Sequence, residues 1–196
     1  DYERDTVFAI APREQTPGAL APGSGPLPGN PDTAQTPAPH PAAERPARER
    51  FARPFDRNDA RPRVVVIVTG LGLARDATFR AIEDTPPEVT LAFSPYADNL
   101  APLVDRARER GHEILLAAPM EPADAKRRDA GPAALAVSLT EAATRQRLAW
   151  MLGRMHSQVG IIGDLGDRFA RDRAAMKPLL EELAAKGLLY VENRLD

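Results

Sequence analysis

Residues 63–72 read RVVVIVTGLG. Val64 to Val68 are five β-branched residues in succession, with no polar alternation. Such a run predicts a strand covered on both faces, as in a parallel sheet. Thr69, Gly70, Leu71 and Gly72 then end the strand and expose its carboxyl edge. Open and barrel-shaped α/β folds place their functional groups at that edge. Here it carries a threonine and a glycine, neither of which serves as an acid, a base or a strong metal ligand.

Downstream, apolar runs alternate with segments of helical period. A short helix is expected over about 75–83, with Ala77, Ala81 and Ile82 inward, and Pro86-Pro87 stops it. A strand at 89–93 leads into SPYADNL, a segment of turn chemistry. Leu100, Leu103, Val104 and Ala107 follow the i, i+3, i+4, i+7 pattern of a helix over 99–110. Asp98 is placed to cap it, and Gly111 to end it. The third strand is 113–117, followed by APMEP and a long loop over 123–137 that carries Lys126, Arg127, Arg128 and Asp129. Ser138-Leu-Thr-Glu141 has the capping-box pattern and opens a helix to about Met155, with Leu148, Met151, Leu152 and Met155 inward. The fourth strand is 159–162, followed by GDLGDRFA. The last helix spans 172–186 with Met176, Leu179, Leu180 and Leu183 inward, and Pro178 suggests that its regular part begins late. Residues 188–192 form the fifth strand. Strand and helix in alternation imply parallel strands joined by right-handed crossovers.

The first 62 residues differ in kind. They hold 12 of the 20 prolines, amid alanine, glycine and charge. Segments such as PGALAPGSGPLPGNP bury too little apolar surface to offset the entropy of ordering. Residues 1–62 are therefore expected as an extended, partly polyproline II tether, and 63–196 as the folded domain. Val7, Phe8 and Ile10 are the exception within the arm, as side chains able to dock on a partner. Residues 44–63 hold seven arginines and four acids, read as a solvated approach to the domain. The net charge of -2 makes no electrostatic case for nucleic acid. No apolar run is long enough to span a bilayer. Membrane attachment is thus expected only through an anchor upstream of residue 1, where the chain starts at Asp rather than Met. The absence of cysteine leaves the redox compartment open.

Several segments resemble, in order and spacing, the divergent polysaccharide deacetylase family, which is related to NodB-type carbohydrate deacetylases. They are VVVIVTGLGL, VTLAFSPYADNL, RGHEILLAAPMEP, GPAAL, VGIIGDLGDRFARD and KGLLYVENR. The resemblance covers roughly residues 62–196. It implies a distorted (β/α) barrel, here incomplete, in the bacterial cell envelope, tethered in the periplasm by the Pro-rich arm. Members with the chemistry carry an Asp-Asp pair after the first strand, a His before the PMEP segment, and a His in an Asn-Asn-His-Met-Gly-Ser block. Those groups would hold a divalent metal that polarises an acetyl carbonyl and activates water.

This sequence departs at each of those positions. Thr69 and Gly70 match the Asp-Asp pair, Ala117 the first His, and Asp164 the second, with Gly163 and Asp167 beside it. No two-His, one-carboxylate site remains, so no catalytic residue, metal or other cofactor is expected. The resemblance also implies further strands after Glu192-Asn193-Arg194, whereas the sequence ends at Asp196. A truncation, a fragment, or an open barrel whose unpaired edge invites a partner are the alternatives. Tyr96, Glu121, Asp164, Asp167, Arg168, Glu192 and Arg194 are the candidates for lining a cleft. The acids among them are weak oxygen ligands for Ca²⁺ or Mg²⁺ on one reading, and helix caps or ion-pair partners on the plainer one. Tyr96 and Phe93 either stack on a sugar ring or belong to the core, the latter favoured for Phe93. His112 reads as structural or surface, His40 lies in the arm, and His156 sits at a helix end.

The expectation is a pseudoenzyme that binds or scaffolds a protein partner or envelope glycan, alone or as a subunit of a larger assembly. The alternative is a carbohydrate deacetylase with an atypical ligand set that includes Asp164.

Overall fold

The computed structural model describes residues 7–10 (backbone), 45–56 and 58–193. Six parallel strands form one sheet: β1 (Val7–Ile10), β2 (Val65–Leu71), β3 (Thr90–Phe93), β4 (Ile114–Met120), β5 (Gly160–Leu165) and β6 (Leu189–Val191). Their order across the sheet is their order along the chain. A doubly wound fold reverses direction partway, whereas this winding never does. It is the winding of a (β/α) barrel that has not closed. The helices are α1 (Ala47–Arg50), α2 (Arg75–Asp84), α3 (Leu100–Glu109), α4 (Glu141–Leu152) and α5 (Arg173–Ala185).

Side chains alternate between two faces, as the pleat requires. One face meets the helices. Leu91, Phe93, Ile114, Leu116, Met120 and Ile161 pack there with Ile82, Val104, Leu148, Met151 and Leu179. The other face, the interior of a closed barrel, carries a smaller layer of Ile67, Ala92, Leu115, Ala117, Val159 and Ile162. Cover on both faces is complete for β3 and β4, every residue of which is buried. It fails for the run that suggested it, since Val64 and Val65 are exposed near the edge of the sheet.

The amino-terminal ends of the strands are closed from below by residues 46–53. Phe51 packs on the inner apolar layer. Arg48 N donates to Gly187 O (2.9 Å), and Arg53 N to the Glu113 carboxylate (2.6 Å). Arg108 holds the Phe51 carbonyl (2.9 Å), and Arg53 pairs with Glu88 (2.6 Å). Part of the segment read as a solvated approach is thus folded onto the domain. At the other end of the arm, Val7–Ile10 pair in parallel with Val65–Val68. Residues 1–6 and 11–44, His40 among them, lie outside the described residues, and the expectation of a tether there lies with them.

Several local expectations are corrected. Asn99, not Asp98, is the residue that precedes α3, and neither caps it with a side chain. Thr140 rather than Ser138 caps α4, accepting from Ala143 N (3.2 Å), and the helix ends at Leu152. The last helix is regular from Arg173 despite Pro178, because Asp172 accepts from Ala174 N (2.9 Å) and Ala175 N (3.0 Å) and fixes its start. Pro178 is buried there, whereas Leu180 is 43% exposed. Gly111, at φ 90, follows α3 as expected. His112 is fully buried, with Nδ1 2.8 Å from Val89 O and Nε2 3.1 Å from Ile82 O. It is a structural histidine. His156 lies 2.9 Å from the Asp105 carboxylate at the surface.

Candidate functional site

The carboxyl edge of the sheet is shaped by a bulge in β2. Val68 pairs with Leu91 and Leu71 with Phe93, so three steps on one strand face two on the other. The extra residue falls at Thr69-Gly70, where Gly70 has φ 74. Without it, Leu71 would point to the inner face, but with it Leu71 joins the helix-side core. Bulges of this kind re-aim side chains at functional edges. Here nothing protrudes: a Cβ built at Gly70 meets no atom within 4 Å.

Ala117 pairs with Ile162, and Pro119 with Asp164. Ala117 and Ile162 belong to the inner layer, so alternation places Asp164 on the inner face as well. Thr69, two residues beyond inner-face Ile67, is buried at the same end of the sheet. Ala117 and Asp164 are therefore set on one face of neighbouring strands, with Thr69 at the same end of the sheet two strands from Ala117; β5 is longer than expected, with Asp164 inside it. Gly163 is also inside β5, where a Cβ would meet Tyr190 Oη at 3.2 Å.

Asp164 is half-buried and has no cationic partner among the described residues. Burial pushes its carboxyl above the usual value, and a hydrogen bond from the Leu165 amide only partly offsets this. Leu165 itself holds φ 66, a left-handed conformation that costs about 1–2 kcal/mol for a side chain of its size.

The other acids are already engaged. Glu121 accepts from Val137 N (2.8 Å) and pairs with Arg168 (2.9 Å), while its carbonyl accepts from Arg168 N and Phe169 N. Asp167 meets Arg128 with both oxygens at 3.1 Å. Burial alone would raise the Asp167 carboxyl, but Arg128 and the Ala123 amide hold it below the usual range. Arg128 also pairs with Asp124, one turn of chain away. These contacts bind the loop over 123–137 to the segment after β5. Arg128, which sequence placed at a loop tip, is the residue whose role was missed. Its partner lies 39 positions away, and no local pattern marks such a pair.

Tyr96 serves the same loop. Its hydroxyl donates to Ala130 O (3.1 Å) and accepts from Ala133 N (3.0 Å). Burial pushes its pKa up to about 12. Its ring lies 6.0 Å from that of Trp150, tilted by 45°. Phe93 is wholly in the core. Glu192 accepts a hydrogen bond from Tyr190 Oη (3.2 Å). Arg194 lies outside the described residues. Among the described candidates, Tyr96 alone lines the cleft that opens between α2 and α3.

A divalent metal is the group that the fold implies, and the residues at its expected place do not fit it. Thr69, Gly70 and Ala117 supply no imidazole and no carboxylate, and Asp164 stands alone. Among the described residues, no three His, Cys, Asp or Glu side chains are grouped so as to hold an ion. No step through a metal is derived.

Fold and edge together define the class: a deacetylase-like α/β module, singly wound and open, with a bulged first domain strand. A family model described as "Divergent polysaccharide deacetylase" matches residues 66–196, and the chain belongs to that family. Among solved structures it is similar to an uncharacterized protein, ATU2773, from Agrobacterium tumefaciens C58, with 33% identity and a TM-score of 0.72. The match covers 75% of this chain and 59% of that one, so the present chain spans well under two thirds of that relative. No curated protein matches the sequence.

Proposed function

We propose that the chain is a non-catalytic, deacetylase-like module that binds or scaffolds a protein or glycan of the bacterial cell envelope, held in the periplasm by its Pro-rich arm. The observation that carries the reading is the composition of the carboxyl edge. The four matched positions, Thr69, Gly70, Ala117 and Asp164, offer only a hydroxyl, a methyl and one carboxylate. Glu121 and Asp167 are committed to the loop braces described above. Any membrane attachment would come through a segment upstream of residue 1.

The reading is tested by isothermal titration with Zn²⁺ together with an assay for acetate release from N-acetylated and O-acetylated sugar oligomers. Both are expected to be blank. Micromolar zinc affinity or turnover would overturn it.

One observation favours a second reading. Asp164 is a half-buried carboxyl without a cation, raised in pKa, beside a strained residue. Such groups cluster at active sites. On this reading the module is a carbohydrate deacetylase with an atypical ligand set. Acetate release abolished by Asp164→Ala would support it, and no release with any divalent metal would remove it.

A further inference from the structure

The cleft between α2 and α3 has no part in the edge chemistry above. It measures about 640 Å³. Leu73 and Phe79 on the α2 side, with Tyr96, Pro102 and Leu103 on the α3 side, make its walls largely apolar. Leu73 is 58% exposed, Phe79 is 40% exposed, and Pro102 stands in water with them. An exposed apolar surface of this kind marks a place where something docks. Two exposed charges join the walls. Arg75 lies 5.7 Å from the Phe79 ring centroid, and neither Arg75 nor Asp98 has an ion-pair partner among the described residues.

The chain itself supplies an occupant that matches. β1 ends at Ile10, in register with Val68, and Val68 is four residues short of Gly72 in the cleft wall. A strand rises about 3.3 Å per residue and its neighbour lies about 4.8 Å away, so Ile10 stands roughly 15 Å from that wall. The sequence continues over residues 11–17 as APREQTP. At about 3.1 Å per residue in polyproline II, this segment spans roughly 20 Å and reaches across the cleft. Such segments dock in aromatic-lined grooves, and proline presets their backbone, so little further ordering is needed. Pro12 and Pro17 bring apolar rings, while Arg13 and Glu14 bring one charge of each sign to meet Asp98 and Arg75. A helical peptide from another protein would find the same apolar walls, but nothing holds it nearby. The arm is held at Ile10, and so short a tether gives an effective concentration in the millimolar range. Even a weak contact is then kept filled.

We propose that residues 11–17 of this chain occupy the cleft between α2 and α3 as an extended polyproline II segment, with Arg13 paired to Asp98 and Glu14 to Arg75. The docking is independent of whether the carboxyl edge is catalytic.

The test is nuclear magnetic resonance of the full chain with a nitroxide at Gln15→Cys, the sole thiol in a protein without cysteine. The amide signals of Phe79 and Leu103 should broaden several-fold more than with the nitroxide at Thr33→Cys. Asp98→Arg, at an exposed and unpaired position, should melt as wild type and bring the broadening down to the Thr33→Cys level. Adding Arg13→Asp to Asp98→Arg should restore it. Broadening that stops at Gly72, that is unchanged by Asp98→Arg, or that is not restored by the double exchange would overturn the proposal. An isotope-labelled chain without nitroxide, mixed with an unlabelled chain that carries it, should show no broadening. Broadening in that mixture would place the arm of a second copy in the cleft, and docking within one chain would be wrong.

Discussion

Asp164 is held in a position that disfavours its own charge. Burial holds its carboxyl above the ordinary range of an aspartate. Between the unfolded and folded values the folded state therefore binds more protons, and stability falls as pH rises through that window. Above it, the carboxylate is a standing cost. Asp164→Asn, which keeps the shape without the charge, should raise the melting temperature at pH 7, and the gain should vanish as pH drops below about 4. A scan of melting temperature against pH checks this, and an unchanged or lower value at neutral pH would contradict it. Tyr96 presents the opposite case, a polar group whose partners are all protein. Tyr96→Phe strips the acceptor from Ala133 N and the donor from Ala130 O, and should cost about 1–3 kcal/mol in urea denaturation. The identity of the edge residues was legible from sequence: a threonine, a glycine and an alanine offer no imidazole and no carboxylate in any fold. The strain at Leu165 and the isolation of Asp164 were not legible, since both depend on which atoms the fold sets around them.

Elements were readable where one period dominated. The apolar stripes of α3 and α4 and the buried run of β4 give direct patterns, and their bounds moved by only a few residues. The bulge in β2 was not readable, because a bulge is a property of a pair of strands and Val64–Leu71 carries no mark of its partner's register. Pro178 misled for a related reason. A proline weakens a helix locally, but the two amides taken by Asp172 fix the start of α5 ahead of it. The loop over 123–137 illustrates what sequence leaves open. It has a turn composition, yet Glu121 fastens it through Val137 N and joins it to the segment after β5 through Arg168. Glu121→Ala should destabilise the domain by about 2 kcal/mol, the worth of hydrogen bonds to a charged acceptor. Hydrogen exchange at Val137 should speed up more than exchange in the β4 core. Uniform acceleration across both would show that Glu121 supports the whole fold rather than this loop.

At the scale of the molecule, the sheet has two ends with different tasks. The carboxyl ends of the strands carry the depleted edge, and the opening between α2 and α3 lies beside it. The amino-terminal ends are sealed by residues 46–53, part of a stretch whose mixed arginines and acids suggested solvent exposure. Composition misjudged it because the fixing contacts are few and distant: the Phe51 side chain on the inner layer, and backbone or carboxylate bonds to Gly187, Glu113 and Arg108. An incomplete barrel leaves its inner layer open to water from below, and Phe51 packs against that layer. A chain beginning at residue 54 should therefore melt well below one beginning at residue 45. The shorter chain loses the Phe51 contact, worth about 1–3 kcal/mol, together with several hydrogen bonds of about 1 kcal/mol each. It should also bind a hydrophobic dye that the longer one excludes, since the apolar layer is uncovered. Equal melting of the two chains, with no dye bound by either, would show that the domain proper starts at the first domain strand and that residues 46–53 merely rest on it.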